Sequence, residues 1–160
     1  MEFRKCKKLV IWGASGHALV VGNAVDERGS FLRENVFSVA TILHPSSIIA
    51  SDVFIGEETV VLAGVVIDPA CKIGKYCIIN NKAVISHDSE IGDGVHICPG
   101  VNIGGNVRIG RGAWIGIGTT VIQNISIGDG SFIGAGSTVV KDLPGGVLAF
   151  GSPARIIRNI

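Results

Sequence analysis

Residues 85–105 read ISHDSEIGDGVHICPGVNIGG, with isoleucine at 85, 91, 97 and 103 and residues of low bulk or high polarity between. The six-residue step continues far outside this window. From Ile49 to Val139 sixteen consecutive steps of six land on Ile or Val, and one step backward lands on Leu43. Four residues after each of these stands a small or β-branched side chain, among them Thr59, Val65, Cys71, Cys77, Ala83, Ser89, Val95 and Thr119. Glycine follows the large residue directly at Gly56, Gly74, Gly92, Gly104, Gly110, Gly116, Gly128 and Gly134. Without a Cβ, it is expected there to ease a turn.

A period of six matches neither the 3.6-residue helix nor a simple hairpin array. It suits a short strand and a corner repeated around a solenoid, three hexads to a triangular coil, so that residues 18 apart stack. Residues 43–144 hold 17 hexads, a little under six coils. β-Branched side chains pack well in such stacked strands. The 23 glycines, set against six Phe, two Trp and one Tyr, fit an aliphatic core enclosed by tight corners. The fold class is therefore mainly β, a parallel β-helix over 43–144, with a small N-terminal α/β unit over 1–42 and a C-terminal cap or tail over 145–160. In the N-terminal unit, Leu9–Trp12 reads as a strand, the turn Gly13-Ala14-Ser15-Gly16-His17 leads into an apolar helical stretch, and 35–42 supplies a second strand. That turn could offer backbone N–H groups to a phosphate, although it lacks the full G-x-G-x-x-G pattern.

Composition excludes several classes. The net charge is +1, and Arg4, Lys5, Lys7 and Lys8 form the sole basic group, so nothing marks a nucleic-acid or anionic-membrane binder. No apolar run reaches the length of a membrane span, and no signal peptide is evident, which points to a soluble cytoplasmic chain. Cys6, Cys71, Cys77 and Cys98 contain no C-x-x-C, and Cys71 and Cys77 fall on the small repeated position as core fillers.

His87 is followed by Asp88, a carboxylate able to orient an imidazole and stabilise its cation. One coil further on, position 105 is glycine, so a backbone N–H shares an edge with the imidazole and can serve a developing oxyanion. A base and an oxyanion donor on one line suit acyl transfer, and an ordinary surface histidine is the alternative reading of the same residues. His96 lies nine residues from His87, half a coil, so the two rings face different directions; His44 lies 43 residues before His87, not a multiple of 18. Convergence of these histidines on one metal ion is disfavoured.

The repeat resembles the left-handed β-helix of the hexapeptide acyltransferases. The segments GASGH (13–17), IINNKAVISHDSEIGDGVHICPG (78–100) and GSPAR (151–155) further resemble the sialic-acid O-acetyltransferase group. That group includes N-acetyltransferases acting on UDP-4-amino sugars in bacillosamine synthesis. The resemblance implies the left-handed coil, a homotrimer with active sites between subunits, and acetyl-CoA as acetyl donor. It implies His87 as general base, Asp88 as the acid that raises its basicity, Asn80 as an asparagine of the same site, and Gly105 as oxyanion donor. His96, Gly105, Ile117 and Ala135 fall where the coenzyme runs, Ser15, Gly16 and His17 where the nucleotide-sugar is held, and GSPAR where the tail closes on the adenine end. No covalent acyl-enzyme is needed, so no cysteine is required as a nucleophile.

The likeness departs at the N-terminus, where the family carries a longer α/β domain and this chain has only a polar connection between Val25 and Val36. Amine and hydroxyl acceptors, the latter on sialic acid, stay open, with the amine of a UDP-linked sugar favoured. A non-catalytic solenoid scaffold is a third reading. A metal enzyme like the γ-class carbonic anhydrases, whose zinc histidines lie close together on one coil, is disfavoured by the histidine spacing.

Overall fold

The computed structural model describes residues 40–160, which form one compact unit. The expected β-α-β unit, with Ser15, Gly16, His17 and Cys6, lies outside the described residues except for its last positions, and Ile42 already belongs to the first strand of the solenoid. Two-residue strands recur every six residues from β1 (Ile42–Leu43) to β17 (Thr138–Val139). Each strand through β14 (Thr120–Val121) pairs in parallel with the strand 18 residues on, as in Ile42 with Val60 and Ile97 with Ile115. Three sheets result. Face A starts from β1, face B from β2 (Ile48–Ile49) and face C from β3 (Phe54–Ile55).

The second residue of each strand points inward. Ile67, Ile73, Ile79, Ile85, Ile97, Ile103, Ile115 and Ile133 are all fully buried, each contributing roughly 1.5–3 kcal/mol on the area scale. The small repeated position points inward as well, and its chemistry is specific. Thr59 Oγ1 donates to Gly74 O (2.8 Å), Ser89 Oγ to Gly104 O (3.1 Å) and Cys77 Sγ to Gly92 O (3.1 Å), each reaching the carbonyl fifteen residues on. Cys71 repeats the pattern with Ser86 O at 3.2 Å. The two core cysteines thus fill the role of the serines and threonines, satisfying corner carbonyls that the strand ladder leaves over.

The corners correct the reading of the glycines. Left-handed backbone falls on the third residue after the large one, with φ of 60° at Asp88 and 54° at Asn106. The glycine immediately after the large residue is required for a different reason. A Cβ at Gly56, Gly92, Gly104 or Gly116 would come within 2.6–2.8 Å of the backbone of the next coil. These glycines permit coils to stack about 4.8 Å apart and are not the residues that turn the chain.

Residues 145–160 extend the solenoid before closing it. Strand β18 (Val147–Gly151) adds to face A parallel to β16 (Phe132–Ile133), and β19 (Ala154–Asn159) folds back antiparallel. Val147 and Ala149 are buried over the last coil. No helix among the described residues is long and apolar enough to cross a membrane.

Candidate active site

His87 sits on the corner between β8 (Val84–Ile85) of face B and β9 (Glu90–Ile91) of face C. The corner backbone is clamped from both sides: Asp88 N–H donates to Pro69 O in the coil before (3.1 Å), and Asn106 N–H donates to His87 O from the coil after (2.9 Å). The left-handed backbone at Asp88 turns its carboxylate back onto the ring, where Oδ2 lies 2.8 Å from His87 Nδ1. A carboxylate accepts only, so Nδ1 carries the proton and Nε2 keeps its lone pair. Both side chains are well exposed, at 65% and 61%, so the pair orients the imidazole and adds little to stability.

Gly105 lies against this ring. A Cβ there would stand 2.7 Å from His87 Cε1 and 2.8 Å from Nε2. Among the described residues no acceptor takes the Gly105 N–H, which leaves it available beside the basic nitrogen. The 18-residue arithmetic that linked these positions holds in the register of the sheets.

The remaining predicted residues gather elsewhere. Asn80 occupies the corner after β7 (Ile78–Ile79), and its Nδ2 is 3.5 Å from Nε2 of His96 on β10 (His96–Ile97) of face A. Asn80 Oδ1 accepts the Asn81 N–H at 2.8 Å, which fixes the amide with its NH2 toward His96. Ile117 and Ala135 stack on the same A–B edge, where Gly136 N–H donates to Ile117 O at 2.8 Å and the Ile117 side chain is exposed. One chain therefore presents His87, Asp88 and Gly105 on the B–C edge, and Asn80, His96, Ile117 and Ala135 on or beside the A–B edge. Face B separates the two sets.

Two residues were missed from sequence. Trp114 on β13 (Trp114–Ile115) packs on His96 with ring centroids 4.1 Å apart at 52°, and Phe132 stacks on Trp114 at 5.8 Å and 6°. The signal was present, since 96, 114 and 132 are 18 apart.

Cys71, Cys77 and Cys98 are free and buried. Burial pushes the Cys77 and Cys98 thiols up to about 11 and raises that of Cys71, so none is poised as a nucleophile. Among the described residues no three His, Cys, Asp or Glu side chains converge as a metal site. An open groove of about 850 Å³ runs up face C over Lys72, Glu90, Arg108 and Asp142 and includes none of the predicted site residues. Its Lys72 is paired with Glu90 at 2.9 Å, so it offers no unpaired cationic cradle there.

Residues 70–105 and 106–141 match the family of the bacterial transferase hexapeptide, six repeats. The chain is 35% identical over 124 residues to GDP-perosamine N-acetyltransferase of Escherichia coli, an alignment covering 74% of this chain and 56% of that protein. A histidine-to-alanine variant of GDP-perosamine N-acetyl transferase from Caulobacter crescentus, solved in complex with CoA and GDP-perosamine, superposes with a TM-score of 0.80 at 38% identity; 83% of this chain and 63% of that one are covered. The acetyltransferase domain of PglB from Neisseria gonorrhoeae, in complex with acetyl coenzyme A, superposes with a TM-score of 0.79 at 30% identity, covering 85% and 67%. The chain spans a little over half the length of the first of these relatives and somewhat under two thirds of the second. Repeat, coil register and these likenesses agree: the chain belongs to the bacterial hexapeptide-repeat transferase family.

Proposed function

We propose that this protein is an acetyl-CoA-dependent acetyltransferase that acylates the amine of a nucleotide-linked amino sugar. The observation that carries the reading is the His87–Asp88 pair set against the Gly105 N–H. In the reaction, His87 Nε2 accepts a proton from the acceptor nitrogen as that nitrogen attacks the thioester carbonyl. Asp88 holds the ring and stabilises the imidazolium. The Gly105 N–H donates to the oxyanion of the tetrahedral intermediate, which collapses with loss of coenzyme A, its sulfur taking the proton held by His87. The amide forms and the thioester breaks without an acyl-enzyme.

An amine acceptor is favoured over a hydroxyl by the relatives that are N-acetyltransferases, two of them acting on or solved with GDP-perosamine. It is also favoured by the negative character of the B–C edge, where Asp52, Asp68 and Asp88 stand on successive corners and would attract a basic acceptor. The UDP-linked sugar expected from the sequence and the GDP-linked sugar of the relatives differ in the base. Ser15, Gly16 and His17, expected to hold the nucleotide-sugar, lie outside the described residues.

The split of the site supports a cyclic assembly. The outward residues of face B, namely Ile48, Val66, Val84, Asn102, Thr120 and Thr138, carry no charge, whereas face C presents Lys72, Glu90 and Arg108. Three copies with face B toward a threefold axis would set the A–B edge of one copy against the B–C edge of the next. Each site would then combine His96 of one copy with His87 of another.

The test is release of free thiol from acetyl-CoA in the presence of a panel of UDP- and GDP-linked amino sugars and sialic acid. His87→Ala should abolish transfer while coenzyme binding persists; full activity in that variant overturns the reading. Mixed oligomers of His87→Ala with an Asn80→Ala, His96→Ala double variant should regain activity that neither shows alone. Lack of complementation overturns the shared site.

A further inference from the structure

Face A carries an aromatic column that the acetyl-transfer reading does not require. Its members, His96, Trp114 and Phe132, stand 18 residues apart on neighbouring strands, and Leu148, sixteen residues further on, pairs with Phe132. Trp114 and Phe132 are nearly parallel, 6° apart, with centroids separated by 5.8 Å on adjacent coils. Their faces are turned toward one another along the solenoid axis, and both side chains remain partly exposed, at 39%. Trp114 is thus in ring contact with His96 on one side and Phe132 on the other.

The lower end of the column is His96, tilted 52° on Trp114 at 4.1 Å. From its other side comes the Asn80 amide, whose orientation the Asn81 N–H fixes. Imidazole on the A–B edge is thus held between an amide that approaches Nε2 and an indole that sets the tilt of the ring. Phe132 in turn limits the rotation of the indole.

We propose that Trp114, backed by Phe132, is a positioning residue that fixes His96 for contact with the coenzyme. This rests on the acetyl-CoA reading of the A–B edge. Trp114 acts through His96 and not on the reacting atoms, so its loss should weaken coenzyme binding and leave the chemical step intact. A ring contact of this kind corresponds to a change in binding of about three- to tenfold.

The chain has two tryptophans, Trp12 and Trp114, so a Trp12→Phe variant leaves Trp114 as the sole indole reporter. Addition of CoA itself should alter the emission, and in steady state Trp114→Ala should raise the KM for acetyl-CoA about three- to tenfold with kcat within twofold. Trp114→Phe should restore KM. Trp114→Leu keeps apolar bulk without a stacking ring and serves if the alanine variant fails to fold; a wild-type KM in either overturns the proposal. CoA that binds by calorimetry without moving Trp114 emission also overturns it. If CoA binds and moves the emission but no acetyl transfer occurs with any acceptor, the positioning role stands and the proposed reaction falls. Absence of CoA binding removes both.

Discussion

Gly105→Ala isolates the geometry on which the proposed chemistry rests. The backbone at 105 is not among the positive-φ positions, so alanine meets no conformational penalty there. The new Cβ does meet the imidazole, at 2.7 Å from Cε1 and 2.8 Å from Nε2. An ordinary carbon contact lies at about 3.5–4.0 Å, so the ring must retreat by about 1 Å. It is free to do so because it is exposed, and the retreat either stretches the 2.8 Å bond to Asp88 or drags the carboxylate with it. A displacement of about 1 Å at a reacting group costs about a hundredfold in rate. Gly105→Ala should therefore lower kcat/KM in the thiol-release assay by about that factor while the melting temperature stays near wild type, the change in stability being within about 1 kcal/mol. The adjacent Gly104→Ala supplies the contrast. Its Cβ would strike Gln123 N at 2.6 Å, a backbone atom that cannot swing away, and it should cost about 1–3 kcal/mol of stability. A Gly105→Ala variant with wild-type kcat/KM would refute the placement of the base and the oxyanion donor on this corner.

Ile79 is fully buried in the aliphatic column, and Ile79→Ala should lower stability by about 2–5 kcal/mol, read by chemical denaturation. With the Cys77 and Cys98 thiols pushed up to about 11 by burial, iodoacetamide at neutral pH should leave them unmodified in the folded protein, and rapid labelling of the native state would contradict their buried positions. The Arg111 guanidinium, 2.8 Å from Asp129, holds that carboxyl below the usual carboxylate range. A depressed folded value means the contribution is present above the unfolded pKa of about 3.9 and is lost as pH falls through the folded one. Asp129→Asn should flatten that part of the acid denaturation curve, and an unchanged curve counts against the pair.

Most of the solenoid was legible because its period is short and its signal redundant. Sixteen successive Ile or Val residues at one spacing leave no other regular structure that buries them all, and the strands fall where the spacing puts them. The glycines were located correctly and explained wrongly. A glycine in sequence advertises the lack of a Cβ, and two causes share that signature: a left-handed φ, and a neighbour too close for any side chain. At Gly104 it is the second, while the left-handed position two residues on is filled by Asn106. Only coordinates separate them. Likewise, donation by Cys77 Sγ to a carbonyl fifteen residues away could not be read from the thiol's position on the small repeat alone.

The candidate site was legible along the solenoid axis and opaque around it. Adding 18 to a residue number yields the residue stacked above it, and that rule joined His87 to Gly105; applied to His96 it yields Trp114 and Phe132 with equal directness. Contacts at other separations escape it. Asn80 and His96, sixteen apart, meet because one sits at the corner where the other's strand begins its outward turn, which depends on side-chain reach and not on period. The proposed pairing of edges between copies is further removed, since a repeat relates positions within one chain and is silent on which face is covered. What the sequence does contain is the charge on each face. Face C alternates Lys72, Glu90 and Arg108 at successive coils, an arrangement satisfied internally by 18-residue ion pairs, while face B has no charge to satisfy. An uncharged face bounded on one edge by the proposed base and on the other by the proposed coenzyme residues is what the proposed assembly needs if neither half of the site is to work alone.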